Sequence, residues 1–214
     1  MNPRTTNAVV AVDGRIAGPR ALATRQRLVD ALDTLLDSRS FREIKVVDIA
    51  RAAGTSPAAF YQYFTSLEDT LEVLAIHVVQ QGRALDDVFT AAVEDGTLAG
   101  AREAVDHLFD FWRTHKAALG AIDAMAAEGD ERFVHARNLL LSAVAQPMVD
   151  AVPRRTDAAP ATHPRALAGS LAGSLATLLA SAATHERGLS AWGSRDELRE
   201  SLAYLMISAF RASR

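Results

Sequence analysis

Residues 60–68 read Phe60-Tyr61-Gln62-Tyr63-Phe64-Thr65-Ser66-Leu67-Glu68, four aromatic rings in five consecutive positions followed by a serine that can start a helix. In a chain of 214 residues that is only 6% aromatic, so dense a cluster needs a reason. Phe60 and Phe64 are four apart, which puts both rings on one side of a helix. Phenyl rings are depleted from protein surfaces, so this pair is expected in the core. Tyr61, Gln62 and Tyr63 occupy the other directions. They form either an ordinary solvated face or a surface that meets something outside the protein.

Working upstream, Ser56 is placed to cap a short helix and Pro57 fits its first turn, where a missing N–H costs nothing. That helix is expected to end near Phe64. Gly54 stands where glycine ends the preceding helix, roughly Val46–Ala53, with Val46, Ile49 and Ala50 inward. Before it, Thr24 reads as the N-cap of a longer first helix. Leu28, Leu32, Leu35 and Leu36 form its apolar stripe, with Phe41 and Ile44 packing the connection. Downstream, Ser66 caps a longer fourth helix whose first turn holds Glu68 and Asp69, favourable beside the helix dipole. Two short helices joined by Ala53-Gly54-Thr55 after a longer one make a helix-turn-helix pattern, in which the second helix enters the major groove of DNA.

Composition agrees with a soluble globular chain: 49% apolar, 23% charged, no cysteine. Disulfides, thiolate metal sites and cysteine nucleophiles are excluded together. The net charge of −3 is uneven: residues 1–64 hold nine Lys/Arg against six Asp/Glu, and residues 65–214 hold fourteen against twenty. A basic first third points to a polyanionic partner. Residues 1–20 lack the order of a signal peptide and read as a flexible arm.

With these residues in view, the chain resembles the TetR family of bacterial transcriptional regulators. The resemblance rests on Thr24-Arg25-Gln26-Arg27-Leu28, on Asp48-Ile49-Ala50-Arg51-Ala52-Ala53-Gly54-Thr55-Ser56, and on Phe60-Tyr61-Gln62-Tyr63-Phe64 followed by Ser66, and it covers roughly residues 24–75. It implies an all-α protein: a three-helix DNA-binding domain over 21–66, then a larger helical ligand-binding and dimerisation domain over 67–214. By the same resemblance Tyr61 and Tyr63 meet DNA, mainly at phosphates, which fix register while base edges specify sequence. Gln62 can donate and accept at an adenine edge. Thr55, Ser56, Pro57, Ala58 and Ala59 form the leading edge, suited to thymine methyl groups and close approach. Two positions depart from the family: Lys45 stands where threonine is frequent, and Leu67 where a lysine is. Leu67 removes a backbone contact, which Arg42, Lys45, Arg51, Arg15 and Arg20 are expected to offset.

Beyond residue 97 the apolar periodicity predicts helices over about 98–116, 117–127, 130–152, 164–187 and 194–213, with Pro147 kinking the third and a proline-rich loop over 153–164. The resemblance implies an apolar effector pocket with a few orienting polar groups. Phe109, Trp112, Met125 and Phe133 are the candidate lining, against the plain alternative of core packing, and Asn138 is the candidate polar group, against simple exposure. Gly169 and Gly173 form a small-residue row. The uncharged window 166–183 is at the lower limit of a membrane span, but its Gly, Ser and Thr content favours a buried dimer helix. Leu198, Leu202, Leu205, Met206 and Phe210 on the last helix are its expected partners, so that two such pairs form a four-helix homodimer interface.

The six histidines form no metal-ligand pattern, and no phosphate-binding loop, dinucleotide fingerprint or nucleophile elbow appears. The expectation is therefore a cytoplasmic homodimeric regulator, most simply a repressor, without cofactor, metal, enzymatic activity or membrane span. Its partners would be a palindromic double-stranded operator and a small apolar or amphipathic effector. The competing reading is a helical binding protein that has lost its hold on DNA.

Overall fold

The structure, a computed structural model, describes residues 18–151 and 193–211, with isolated helical positions 166, 169, 170, 173, 174, 177 and 178 between them. The arm over 1–17 with Arg15, the loop over 153–164 and the side chain of Phe210 lie outside the described residues. The described secondary structure is helical throughout. The chain divides into two compact units, Met1–His77 and Val78–Arg214.

In the first unit, α1 runs Pro19–Leu36, a 3-10 turn spans Phe41–Glu43, α2 is Val46–Ala52, α3 is Pro57–Phe60 and α4 is Leu67–Gly82, within which the unit boundary falls. Helix α1 starts six residues earlier than an N-cap at Thr24 predicts. Gly18 is extended (φ −72°, ψ 170°) and Pro19 takes the first helical position, where its fixed φ favours a start. Thr24 is interior, its hydroxyl donating to the Arg20 carbonyl at 3.1 Å and accepting from Arg27 Nη2 at 3.1 Å. Alanine and leucine at 21–23 carry the helix through that region. Leu28, Val29, Leu32 and Leu36 are buried, while Leu35 is half-buried. They pack with Ile49, Ala50, Phe60, Phe64 and Leu71 into one small core. Full burial of each large side chain contributes about 1.5–3 kcal/mol.

In the second unit, α5 (Ala84–Asp95) packs on α6 (Leu98–Thr114) and α8 (Glu131–Ala151). Helix α7 (Lys116–Ala127) packs on α8, and α9 (Arg195–Arg211) on α6. The longer helix that Ser66 caps ends at Gly82, and α5 begins after Arg83. Just before Arg83, a Cβ on Gly82 would come within 2.7 Å of Leu140 Cδ2 and 3.2 Å of Phe111 Cζ. Gly96 then ends α5 with φ +63°, and the Thr97 hydroxyl accepts the Gly100 N–H at 3.1 Å to start α6. Pro147 lies inside α8.

Candidate nucleic-acid interface

The turn between α2 and α3 is built from two opposed caps. Gly54 has φ +67°, a conformation that costs other residues a clash at Cβ. Its N–H donates to the Arg51 carbonyl at 3.1 Å, and the next N–H, of Thr55, reaches back to Ala50 at 2.8 Å. These two bonds satisfy the orphan carbonyls of α2 and reverse the chain. Ser56 follows in an extended conformation, and its Oγ accepts the Ala59 N–H at 3.1 Å. Helix α3 proper ends at Phe60, sooner than the expected Phe64. Tight turns continue it, with Tyr63 N–H donating to Phe60 at 2.9 Å and Phe64 N–H to Phe60 at 3.1 Å.

This geometry separates the rings. Phe60 is 0% exposed and Phe64 2%, with centroids 5.6 Å apart. Tyr61 is 53% exposed, and its ring meets the edge of Phe60 at 5.5 Å. Gln62 is exposed and Tyr63 half-buried. Along the leading edge Ser56, Pro57 and Ala58 are exposed, and Thr55 and Ala59 half-buried. The nine candidate DNA-facing residues thus fall within one unit and none is buried.

Lys45 is exposed and caps α2 through its backbone, the N–H donating to Asp48 Oδ2 at 3.1 Å. Asp48 also pairs with Arg39 at 3.6 Å. Arg42 and Arg51 are exposed beside them. Ser66 caps α4 by accepting the Asp69 N–H at 3.1 Å, with Asp69 Oδ2 taking the Thr65 N–H at 3.1 Å; Leu67 is half-buried. Arg25 has no role that short-range sequence spacing assigns. Its guanidinium lies 4.8 Å from the Phe64 centroid, a contact between segments far apart in sequence.

In the second unit Phe109, Trp112, Met125 and Phe133 are all buried. Asn138 is not with them: it is exposed on α8, where three- and four-residue spacing sends Ala136, Leu140 and Val144 inward instead. A cleft of about 650 Å³ opens between α5 and α6, lined by Asp87, Val88, Ala91, Asp95, Gly100 and Glu103 among others, and none of the five candidate pocket residues borders it.

The last helix also divides differently from its expected stripe. Leu202, Ala203, Met206 and Ile207 are buried in the chain itself, Leu198 is half-buried, and Leu205 and Tyr204 are 52% and 63% exposed. Leu202 therefore serves the protomer's own core, and Leu205 faces outward. Ion pairs fasten α9 to α6: Arg102 grips Glu200, and Arg199 Nε reaches Asp106 at 3.1 Å while its guanidinium lies 5.0 Å from the Phe109 centroid. The Arg102 bond holds the Glu200 carboxyl below its usual range. Gly169 and Gly173 are helical and half-buried; a Cβ on Gly169 would meet only Val149 at 3.8 Å, and one on Gly173 nothing within 4 Å. Among the described residues there is no metal-ligand cluster and no helix long and apolar enough to cross a membrane.

Comparison with known families and structures follows the same division. Residues 28–73 match the family described as bacterial regulatory proteins, tetR family, and residues 90–211 match the tetracyclin repressor-like C-terminal domain. The fatty acid degradation regulator FadR of Bacillus halodurans superposes with a TM-score of 0.61 at 14% identity, over 90% of this chain and 97% of that one. A tetR-family transcriptional regulator of Streptomyces coelicolor gives 0.61 at 20% identity, over 90% and 82%. Thermus thermophilus FadR, a repressor solved with lauroyl-CoA, gives 0.53 at 19%, over 87% and 91%. At these identities the likeness is one of fold. No curated protein sequence matches the chain.

Proposed function

The chain belongs to the TetR family of bacterial regulatory proteins, and from that premise we propose that it is a ligand-responsive transcriptional repressor acting as a cytoplasmic homodimer. The observation that carries the reading is the segregation on α3 and the turn after it. Phe60 and Phe64 are spent on the core, while Ser56, Pro57, Ala58, Tyr61 and Gln62 are exposed together at the end of a short capped helix. A helix-turn-helix dimer presents two such surfaces about one helical turn, 34–36 Å, apart, so the operator is palindromic. Tyr61, Tyr63 and Lys45 hold phosphates, Gln62 reads a base edge, and the small leading-edge residues pack on thymine methyls. Exposed Leu205, with the Gly169/Gly173 row, supplies the dimer face. The effector is small and apolar or amphipathic, and it acts by binding one arrangement of the dimer better than the other.

A gel shift against DNA flanking the chain's own gene tests this. Wild-type protein is expected to retard at least one fragment at low salt; no shift with any upstream fragment would sink the repressor and leave the reading of a binding protein without DNA. Tyr61→Phe and Tyr63→Phe should weaken all sequences alike, whereas Gln62→Ala should change the preference among sites. Titrating the shifted complex with amphipathic molecules, lauroyl-CoA being one, tests the release step.

A further inference from the structure

Several arginines of the described residues have an acid within reach, and Arg20, Arg27, Arg51 and Arg83 are exposed to solvent. Arg39 pairs with Asp48, Arg102 with Glu200, Arg113 with Asp110, Arg132 with Asp130, and Arg199 with Asp106. Arg25 differs. It is half-buried, and its one contact of charge or ring type among the described residues is with the Phe64 ring at 4.8 Å. Burial lowers the pKa of its guanidinium, with no acid opposing the effect. A partly desolvated cation without a counter-charge is costly, and stacking on a phenyl ring recovers only part of that cost.

The placement shows where an anion would relieve it. Phe64 is fixed from below by Phe60 and closes the turn that bears Tyr61, Gln62 and Tyr63. The Arg25 guanidinium carbon lies over the Phe64 ring, and the N–H groups of a guanidinium match two oxygens of a phosphate. Three residues after Phe64, half-buried Leu67 offers no charge at the start of α4.

Resting on the DNA-binding reading above, we propose that Arg25 is a phosphate-binding residue of the interface, held in alignment by Phe64. The aromatic cluster then serves DNA twice, directly through its tyrosines and indirectly through a buried phenylalanine that orients a cation from α1.

The test uses full-length protein and a duplex of about 30 base pairs enriched by the wild type from a random pool. Affinity is measured from about 50 to 200 mM salt, where each lost phosphate contact lowers the log–log slope by about 0.9. Arg25→Gln is expected to lose about 0.9 per protomer from that slope and to weaken binding about tenfold or more. Gln62→Ala should leave the slope alone. Arg25→Lys keeps the charge without the flat two-point edge, so it should retain the slope but bind more weakly. Wild-type slope and affinity in Arg25→Gln would reduce the stack to a packing contact and overturn the proposal. Should Arg25→Gln lose its helical circular dichroism, Arg25→Lys decides, since wild-type affinity in that variant overturns it equally. A wild type that enriches no sequence fails differently: it removes the DNA-binding reading itself.

Discussion

Gly54 permits a prediction whose mechanism is isolated by the geometry. Its φ is +67°, and a Cβ built there meets nothing within 4 Å, so a substitution is opposed by backbone conformation alone. The left-handed conformation costs an ordinary residue about 1–2 kcal/mol. Replacing glycine also stiffens the unfolded chain, which returns about 0.4–1 kcal/mol. Gly54→Ala is therefore expected to destabilise by a net ~1 kcal/mol, Gly54→Asn by less because asparagine tolerates this region, and Gly54→Val by more. With urea slopes of about 1–3 kcal/mol per molar, the alanine variant should unfold about 0.3–1 M earlier by far-ultraviolet circular dichroism. The order Gly, Asn, Ala, Val is the diagnostic result. If valine matched alanine, or alanine matched glycine, the turn would not depend on a left-handed residue. The two closing bonds to Arg51 and Ala50 would then need another explanation.

Phe60→Ala removes a fully buried ring and should cost about 3–5 kcal/mol, whereas Tyr61→Phe at an exposed site should stay within about 0.5 kcal/mol; similar losses in chemical denaturation would erase the two-sided reading of the helix. Glu43 accepts the Ser40 N–H at 3.0 Å and its hydroxyl at 2.8 Å, which hold its carboxyl below the usual range. Its folded value is depressed, so the stabilisation is complete above the ordinary carboxylate range and is lost as pH falls through the lowered value. Glu43→Gln should accordingly be less stable than wild type at neutral pH, with the gap closing in acid melts; a gap that widens in acid has the wrong sign. Leu205→Asp should convert dimer to monomer in sedimentation velocity while keeping helical content, because the side chain is 52% exposed in the protomer. An unchanged sedimentation coefficient would place the dimer face elsewhere.

What could be read from sequence follows the range of the interactions involved. The α2–α3 turn was legible in detail because Gly54, Ser56 and Pro57 act on their immediate neighbours, and the Phe60/Phe64 pair because one helical turn sets its spacing. Helix starts were less secure: Thr24 and Pro19 are both valid start signals, and good helix formers between them let the earlier one prevail. Long-range facts were not legible. Nothing near Gly82 announces the approach of Leu140 and Phe111 to it. Asn138 looked like a pocket residue from its apolar neighbours, yet a helix sends adjacent residues in different directions. Leu202 and Leu205 read as one stripe, but α6 covers the first and leaves the second exposed. Arg25 meets Phe64 only once α1 has folded across the unit.

Gly82 has a consequence for packing. At that residue, which ends α4, the side chains of Leu140 from α8 and Phe111 from α6 approach so closely that an added Cβ would lie 2.7 Å from Leu140 Cδ2 and force that side chain to shift. The glycine thus lets side chains from two other helices seat against the end of α4. Close-packed interiors do not yield continuously. An added methyl at Gly82 would have to displace the end of the Leu140 side chain and tighten against the Phe111 ring.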